Sequence, residues 1–260
     1  MRYYVVDAFA EKVFEGNPAG VCVMEQWIPD GTMQDIAMEN NLSETAFAVR
    51  EKGGYRLRWF TPGGEINLCG HATLATSFVI MNFVEPGLDA VSYETLSGRL
   101  SVTRKRDIFE MDFPALDLEA YPLSERMVEA LGVRPAETYR NRDLVFVLDS
   151  EEAVRDAAPD FGKLEKLPEG LGVFITARGR AFDFVSRAFW PKLKVNEDPV
   201  CGSMHCSLIP FWAKRLGKSE MTARQLSRRG GTVYCRNEGE RVKIAGKAVL
   251  YAQGDIFPGD

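Results

Sequence analysis

Histidine is nearly missing from this sequence: it occurs twice in 260 residues, as His71 and His205. Cysteine is sparse too, with five residues, an odd number without the spacing of a disulfide framework. That argues against a small stapled secreted domain and predicts free thiols in a reducing, cytoplasmic setting. No secretory pattern is expected at the start, because "MRYYVVDAF" has one Arg before a short apolar stretch that Asp7 interrupts. Long apolar runs are absent as well. The longest, Ala72 to Val84, contains Thr76, Ser77 and Asn82. It falls short of the roughly 20 apolar residues that a membrane span requires, and predicts a buried core helix.

An excess of basic charge is also lacking. Lys and Arg number 32 against 37 Asp and Glu, for a net charge of -5. This balance argues against a general nucleic-acid or polyanion binder. The one local basic patch, "RQLSRRGG" from Arg224 to Gly231, reads as a solvated helix end. There is no Walker phosphate loop, no G-x-G-x-x-G after a strand and no G-x-S-x-G, so nucleotide cofactors are not implied.

What remains is an ordinary globular composition, 45% hydrophobic and 27% charged, long enough for one large domain or two moderate ones. "RYYVVDAF" and "AGVCVM" read as strands separated by the turn signal "EGNP", and "GTMQDIAMENN" as a short helix ending at Asn40 or Asn41. "TAFAVR", "YRLRWF", "VSYETLSGRLSVTR" and "DIFEMDF" read as strands around a helix that begins at Gly70 and is apolar on every face. After a linker at "PALDLEAYPLS", Ser124 caps a helix through Leu131. Strands follow in "LVFVLD", "GVFITARG" and "AFDFVSRAFW". A second apolar helix, "GSMHCSLIPFWAKRLG", is expected to kink or break at Pro210.

The two halves echo each other. "RLRWFTP" precedes Cys69-Gly70, and "VSRAFWP" precedes Cys201-Gly202, so each half offers strand, Arg-x-Phe, Pro, loop, Cys-Gly and buried helix. An internal duplication explains this order, with halves at 1–114 and 115–260 and the two Cys-Gly phrases facing each other across a cleft.

The chemistry of a Cys-Gly helix start is specific. The first turn has N–H groups without internal partners, and the helix dipole there favours negative charge. Glycine lets a carboxylate approach those groups, Ser203 adds a hydroxyl, and the same field is expected to lower the pKa of Cys69 and Cys201. Either cysteine alone reads as inert core packing, while the pair in repeated context reads as functional. Asp198 precedes Pro199 in a loop where it can face the cleft, or is an ordinary turn residue. His71 can donate to or orient a substrate group, whereas His205 reads as a satisfied core residue. A zinc site from Cys69, His71, Cys201 and His205 is the alternative, although no tight C-x-x-C or H-x-x-x-H pair supports it.

Several ordered phrases together carry a family resemblance: "VDAFAEKVFEGNPAGVCVM", "MQDIAMENNLSETAF", "RWFTPGGEINLCGHATLA", "EDPVCGSMHC" and "GKAVLYAQGDI". The chain resembles the phenazine-biosynthesis-like (PhzF-like) family, whose fold is similar to that of diaminopimelate epimerase and proline racemase. The resemblance implies an α+β fold of two similar halves, each a strongly curved, mostly antiparallel sheet wrapped around a central helix. It also implies an active site between the halves, catalysis without metal or organic cofactor, and frequently a homodimer.

The family's proton-transfer residue is the Glu of "NLSET", which implies that role for Glu44, otherwise an unexceptional strand-end glutamate. The substrate-holding phrases imply binding roles for Gly70, His71, Asp198, Gly202 and Ser203. The implied reaction moves a proton between carbons of a small carboxylic acid, as in isomerisation of a dihydro-hydroxyanthranilate. In one respect the chain departs from the pattern: many members carry Thr where this one has Cys201, whereas the two-thiol epimerases carry Cys at both helix starts. Three expectations follow: a Glu44-centred isomerase, a two-thiol racemase or epimerase using Cys69 and Cys201, and a non-catalytic carboxylate-binding protein.

Overall fold

The structure is a computed structural model and describes residues 1–259. Its chain divides into two compact units, Met1–Asp112 with Ala245–Asp260, and Phe113–Ile244. The first boundary lies two residues before the 114/115 division read from the sequence, and the C-terminal strand belongs with the first unit.

The first unit contains β1 (Arg2–Ala8), β2 (Asn17–Met24), α1 (Asp30–Asn40), β3 (Glu44–Glu51), β4 (Gly54–Thr61), β5 (Gly64–Ile66), α2 (Gly70–Val79), β6 (Ala90–Thr95), β7 (Gly98–Lys105) and β8 (Ile108–Pro114). In the second are β9 (Glu119–Ala120), α3 (Glu125–Leu131), β10 (Glu137–Arg140), β11 (Leu144–Val147), α4 (Glu151–Asp156), α5 (Phe161–Glu165), β12 (Val173–Arg178), β13 (Phe184–Trp190), β14 (Val195–Asp198), α6 (Gly202–Leu216), β15 (Glu220–Gln225), β16 (Gly231–Asn237) and β17 (Arg241–Gly246). β18 (Ala248–Asp255) then pairs antiparallel with β1.

The repeat is written in the pairing order. In the first unit, β1–β2 is antiparallel, β2–β3 parallel, β3–β4 and β4–β5 antiparallel, β4–β6 parallel and β6–β7 antiparallel. The second unit runs through the same series from β10 to β16. In each unit a short antiparallel strand, β5 or β14, leads directly into the helix that starts at Cys-Gly.

Helix α2 has nearly every residue from His71 to Val79 buried, as its lack of a polar face predicts. Its hydroxyl residues find partners inside the helix: Thr73, Thr76 and Ser77 donate to the carbonyls of Cys69, Ala72 and Thr73. A π-helical turn, Ile80–Val84, ends it at the "VEPG" stop. Helix α1 ends at Asn41, which takes the left-handed conformation at φ 48° that Asn tolerates. The Ser124 cap is present, accepting from the Met127 amide at 3.4 Å.

Two readings are corrected. Pro210 does not break α6, which runs unbroken from Gly202 to Leu216. The missing proline N–H would leave the Cys206 carbonyl unbonded, and the Leu116 amide takes it instead at 3.0 Å. "RQLSRRGG" is no helix end: Arg224 and Gln225 finish β15, and the remainder turns the chain into β16 at Gly231. The expected linker holds the short strand β9, and the helices α4 and α5 occupy the stretch between β11 and β12, where no helix is expected from the sequence. No helix among the described residues is long and apolar enough to cross a membrane.

Candidate active site

The Cys-Gly phrases do what their composition predicts locally. Cys69 occupies the N-cap of α2 with extended backbone, and Gly70 and His71 are its first two residues. Cys201 occupies the N-cap of α6 in the same way, followed by Gly202 and Ser203. In each unit the first-turn amides of a buried helix therefore follow a cysteine, where a carboxylate is well received.

In the first unit the residues converge on one imidazole. Glu44 opens β3, and its Oε2 lies 2.9 Å from His71 Nε2. The contact is an ion-pair distance without a directed hydrogen bond, and neither buried atom has a partner of hydrogen-bond geometry. On the other side of the ring, His71 Nδ1 meets Asn17 Nδ2 at 3.2 Å and Cys69 Sγ at 3.5 Å. The Ser43 hydroxyl donates to Asn17 Oδ1, so the Asn17 amide nitrogen is the side that faces the ring. In the neutral ring Asn17 thus donates to Nδ1, which places the single proton on Nε2, toward Glu44, whereas the charged ring carries a second proton on Nδ1, beside Cys69.

Both partners of His71 perturb it. Burial alone would lower the imidazole pKa, but the anionic forms of Cys69 and Glu44 together raise it well above its ordinary value. The Cys69 thiol is pushed up, first by burial and then by the Glu44 carboxylate, with His71 pulling the other way. Cys201 is raised well above its usual value by burial and by Asp198. This reverses the sequence expectation of lowered thiol pKa values. The helix-start field acts on both sulfurs, but Cys69 and Cys201 are only 6% and 4% exposed, and desolvation of a thiolate outweighs it.

In the second unit, Cys201 Sγ lies 3.4 Å from Ser203 Oγ, and the Cys201 amide donates to Gln225 Oε1. Asp198 ends β14, and its carbonyl accepts from Gln225 Nε2. His205 is a neutral core residue. Its Nδ1 donates to the Cys201 carbonyl at 2.8 Å, and burial lowers its pKa to about 4.

The group of His, Cys, Asp and Glu whose ligand atoms lie within 4.8 Å of one another, among the described residues, is Glu44, Cys69 and His71. It differs from the four-residue zinc set read from the sequence. Glu44 and Cys69 sit at opposite nitrogens of the ring, an arrangement that suits proton transfer along the imidazole better than joint coordination of one ion.

Sequence reading missed Asn17. Its position before Pro18 marks it as a turn residue, whereas it is fully buried as the first residue of β2. Its signal was a polar side chain at the head of an apolar strand.

The family model described as "Phenazine biosynthesis-like protein" matches residues 6–254. The chain is 49% identical over 256 residues to an uncharacterized isomerase of Pseudomonas aeruginosa, covering 98% of each. It superposes on the crystal structure of a phenazine biosynthesis protein PhzF family member from Enterococcus faecalis with a TM-score of 0.97, at 51% identity and 98% coverage of both chains. A hydroxyproline epimerase from Agrobacterium vitis, with trans-4-hydroxy-L-proline bound, shares the fold at a TM-score of 0.60 and 10% identity, with 98% of this chain and 91% of that one covered. The two-half α+β, epimerase-like architecture expected from the sequence is the observed one.

Proposed function

The chain belongs to the phenazine biosynthesis-like family, and on that premise we propose that it is an isomerase that moves a proton between two carbons of a small carboxylic acid. The observation that carries this reading is the pairing of Glu44 Oε2 with His71 Nε2 at 2.9 Å, beside a helix start able to hold an anion. Glu44 takes the proton from a carbon whose C–H bond is weakened by conjugation. The electron pair moves into the conjugated acid, and the proton returns at a second carbon. No net charge is gained or lost, and no oxidant is required.

The Gly70 and His71 amides hold the substrate carboxylate or the enolate-like charge that develops during transfer. His71 orients the substrate and keeps its proton directed at Glu44. Gly202 and Ser203 form the corresponding anion-holding set of the second unit, and Asp198, like His71, orients the substrate's polar groups.

A second reading uses Cys69 and Cys201 as the two bases of a racemase or epimerase. The cysteine at both N-caps supports it, and the raised pKa of both thiols weighs against either acting as a thiolate unaided. Within the first reading, Cys69 has a different task, exchanging a proton with Nδ1 of His71.

Solvent deuterium incorporation separates the two. The protein is incubated in D₂O with a panel of amino acids, cyclic imino acids and dihydroaromatic acids, and the products are read by mass spectrometry. Deuterium at a ring carbon, lost in Glu44→Gln and kept in Cys201→Ser, supports the proton-shift isomerase. Deuterium at an amino-acid α-carbon, lost in Cys201→Ser, supports the two-thiol epimerase. Thermal protection by a panel acid with no exchange anywhere supports a non-catalytic binder.

A further inference from the structure

The turn after β15 was singled out in the sequence as a basic patch, yet its chemistry lies in the two polar residues around Leu226. Gln225 is fully buried, and its amide spans the loop that leads into α6. Its Nε2 donates to the Asp198 carbonyl at 2.6 Å, and its Oε1 accepts from the Cys201 amide at 2.9 Å. The Ser227 hydroxyl donates to the Pro199 carbonyl at 2.7 Å and accepts from the Gly230 amide at 3.1 Å. Three backbone groups of the Asp198–Cys201 segment are thus tied to two side chains of one turn.

The first unit carries a simpler version of the same device. β6 and β15 are the equivalent strands of the repeat, each parallel to the strand that leads toward its helix start. Each ends in a polar residue followed by Leu-Ser: Thr95-Leu96-Ser97 and Gln225-Leu226-Ser227. The Ser97 hydroxyl donates to the Asn67 carbonyl at 2.9 Å. Asn67 stands two residues before Cys69, as Pro199 stands two before Cys201. Thr95 turns instead to its own hairpin, donating to the Gly98 carbonyl at 2.7 Å. The serine tie is therefore common to both units, and the glutamine tie belongs to the second.

From this we infer that Gln225 and Ser227 are positioning residues, setting the backbone from Asp198 to Cys201 and with it the Asp198 carboxyl and the Cys201 thiol, while Ser97 does the same for the approach to Cys69. Pro199 supplies no amide of its own, so the side-chain ties hold this stretch where backbone pairing through that residue is not possible. The placement matters for catalysis only if the proposed isomerase or thiol reading holds, so its test is chosen to stand apart from turnover.

The test compares Ser227→Ala, Ser227→Thr, Gln225→Met, Ser97→Ala and the exposed control Arg228→Ala. Hydrogen exchange of the Cys201 amide and iodoacetamide labelling of each cysteine are followed by mass spectrometry. Loss of one buried hydrogen bond should raise Cys201 labelling in Ser227→Ala about fivefold relative to Cys206 on the same helix. Gln225→Met should in addition accelerate exchange of the Cys201 amide. Ser227→Thr, which keeps the hydroxyl, should stay near wild type, as should Arg228→Ala. Ser97→Ala should raise labelling of Cys69 and leave Cys201 unchanged.

Where a panel acid is turned over, Ser227→Ala should lower kcat with little change in KM. Equal labelling changes at all cysteines, or none at Cys201 in Ser227→Ala and Gln225→Met, would overturn the assignment. So would an unchanged kcat. If no acid is turned over, the isomerase reading fails, and the labelling and exchange results still decide whether the turn holds the loop.

Discussion

His71 stands between two acids, with Glu44 Oε2 2.9 Å from its Nε2 and Cys69 Sγ 3.5 Å from its Nδ1. The two residues that compete as bases in the sequence reading are therefore in contact with opposite ends of one ring. A proton that Nε2 gives to Glu44 can be matched by one that Cys69 gives to Nδ1. Asn17, donating to Nδ1 at 3.2 Å, biases the resting tautomer toward the Glu44 side.

That arrangement makes Asn17 testable. Asn17→Ala removes the donor to Nδ1 and should lower kcat about tenfold, the usual scale for a group that orients a functional histidine. Asn17→Asp should be worse than Asn17→Ala, because a carboxylate accepts from Nδ1 and draws the ring proton away from Glu44. Nitrogen NMR of labelled histidine reads the tautomer directly. An unchanged His71 spectrum in Asn17→Asp would remove Asn17 from this role.

Glu44 and Cys69 should rank unequally. Glu44→Gln removes the proposed base and should cost about 10²- to 10⁴-fold in kcat, with affinity for a bound acid nearly unchanged. Cys69→Ser keeps a proton donor beside Nδ1 and should cost much less, with Cys69→Ala intermediate. Deuterium uptake on the panel acid measures all three. A Cys69→Ser enzyme as dead as Glu44→Gln would shift the assignment to the thiol.

The order of these elements was visible in the sequence at some positions and hidden at others. Cys69 and Cys201 announced themselves because a rare residue recurred with the same glycine before a buried helix, and both are N-caps. Glu44 was legible only through the family resemblance, since a glutamate at the head of a strand has the pattern of a solvated residue. Asn17 hid behind its proline. The direction of the thiol pKa shifts was misread because the helix start is a local property and shows in the sequence, whereas desolvation depends on neighbours from β-strands far along the chain. Gln225 and Ser227 were masked by the arginines around them, which drew the patch toward a surface reading.

Stability should fall at alkaline pH through the thiols. All five cysteines are free and buried. Burial pushes Cys22 and Cys206 up to about 12, and raises Cys69, Cys201 and Cys235 as well. Unfolded thiols lose their protons near pH 8.5, so above that pH the unfolded state binds fewer protons and stability drops as pH rises. Each thiol contributes a slope of about 1.4 kcal/mol per pH unit until its folded pKa is reached. Denaturant melts at pH 8, 9 and 10, in roughly the window those pKa values define, should show the decline. Cys22→Ala should lessen the slope by one thiol's share, and an unaltered slope in that variant would contradict the assignment.

The two histidines should act on stability in opposite directions. His205 is neutral in the folded state, with its pKa lowered from 6.5 to about 4 by burial. Its contribution is fully present above pH 6.5 and is lost as pH falls toward 4, where the unfolded chain binds the extra proton first. The shift corresponds to about 3 kcal/mol at most. His71 has the reverse sign. Its raised pKa favours the charged ring, so its contribution is complete below pH 6.5 and is lost as pH climbs through the folded value. His205→Gln should therefore flatten the acid limb of a stability–pH curve, and His71→Gln should flatten the limb above pH 6.5 while leaving the acid limb in place. The acid-limb comparison is the cleaner one, because His205 meets only the backbone carbonyl of Cys201 and neither Glu44 nor Cys69. If the acid limb is the same in His205→Gln as in the parent, then the ring is not held neutral by burial, and the core around Phe184, whose ring lies 5.9 Å from it, must admit the charge.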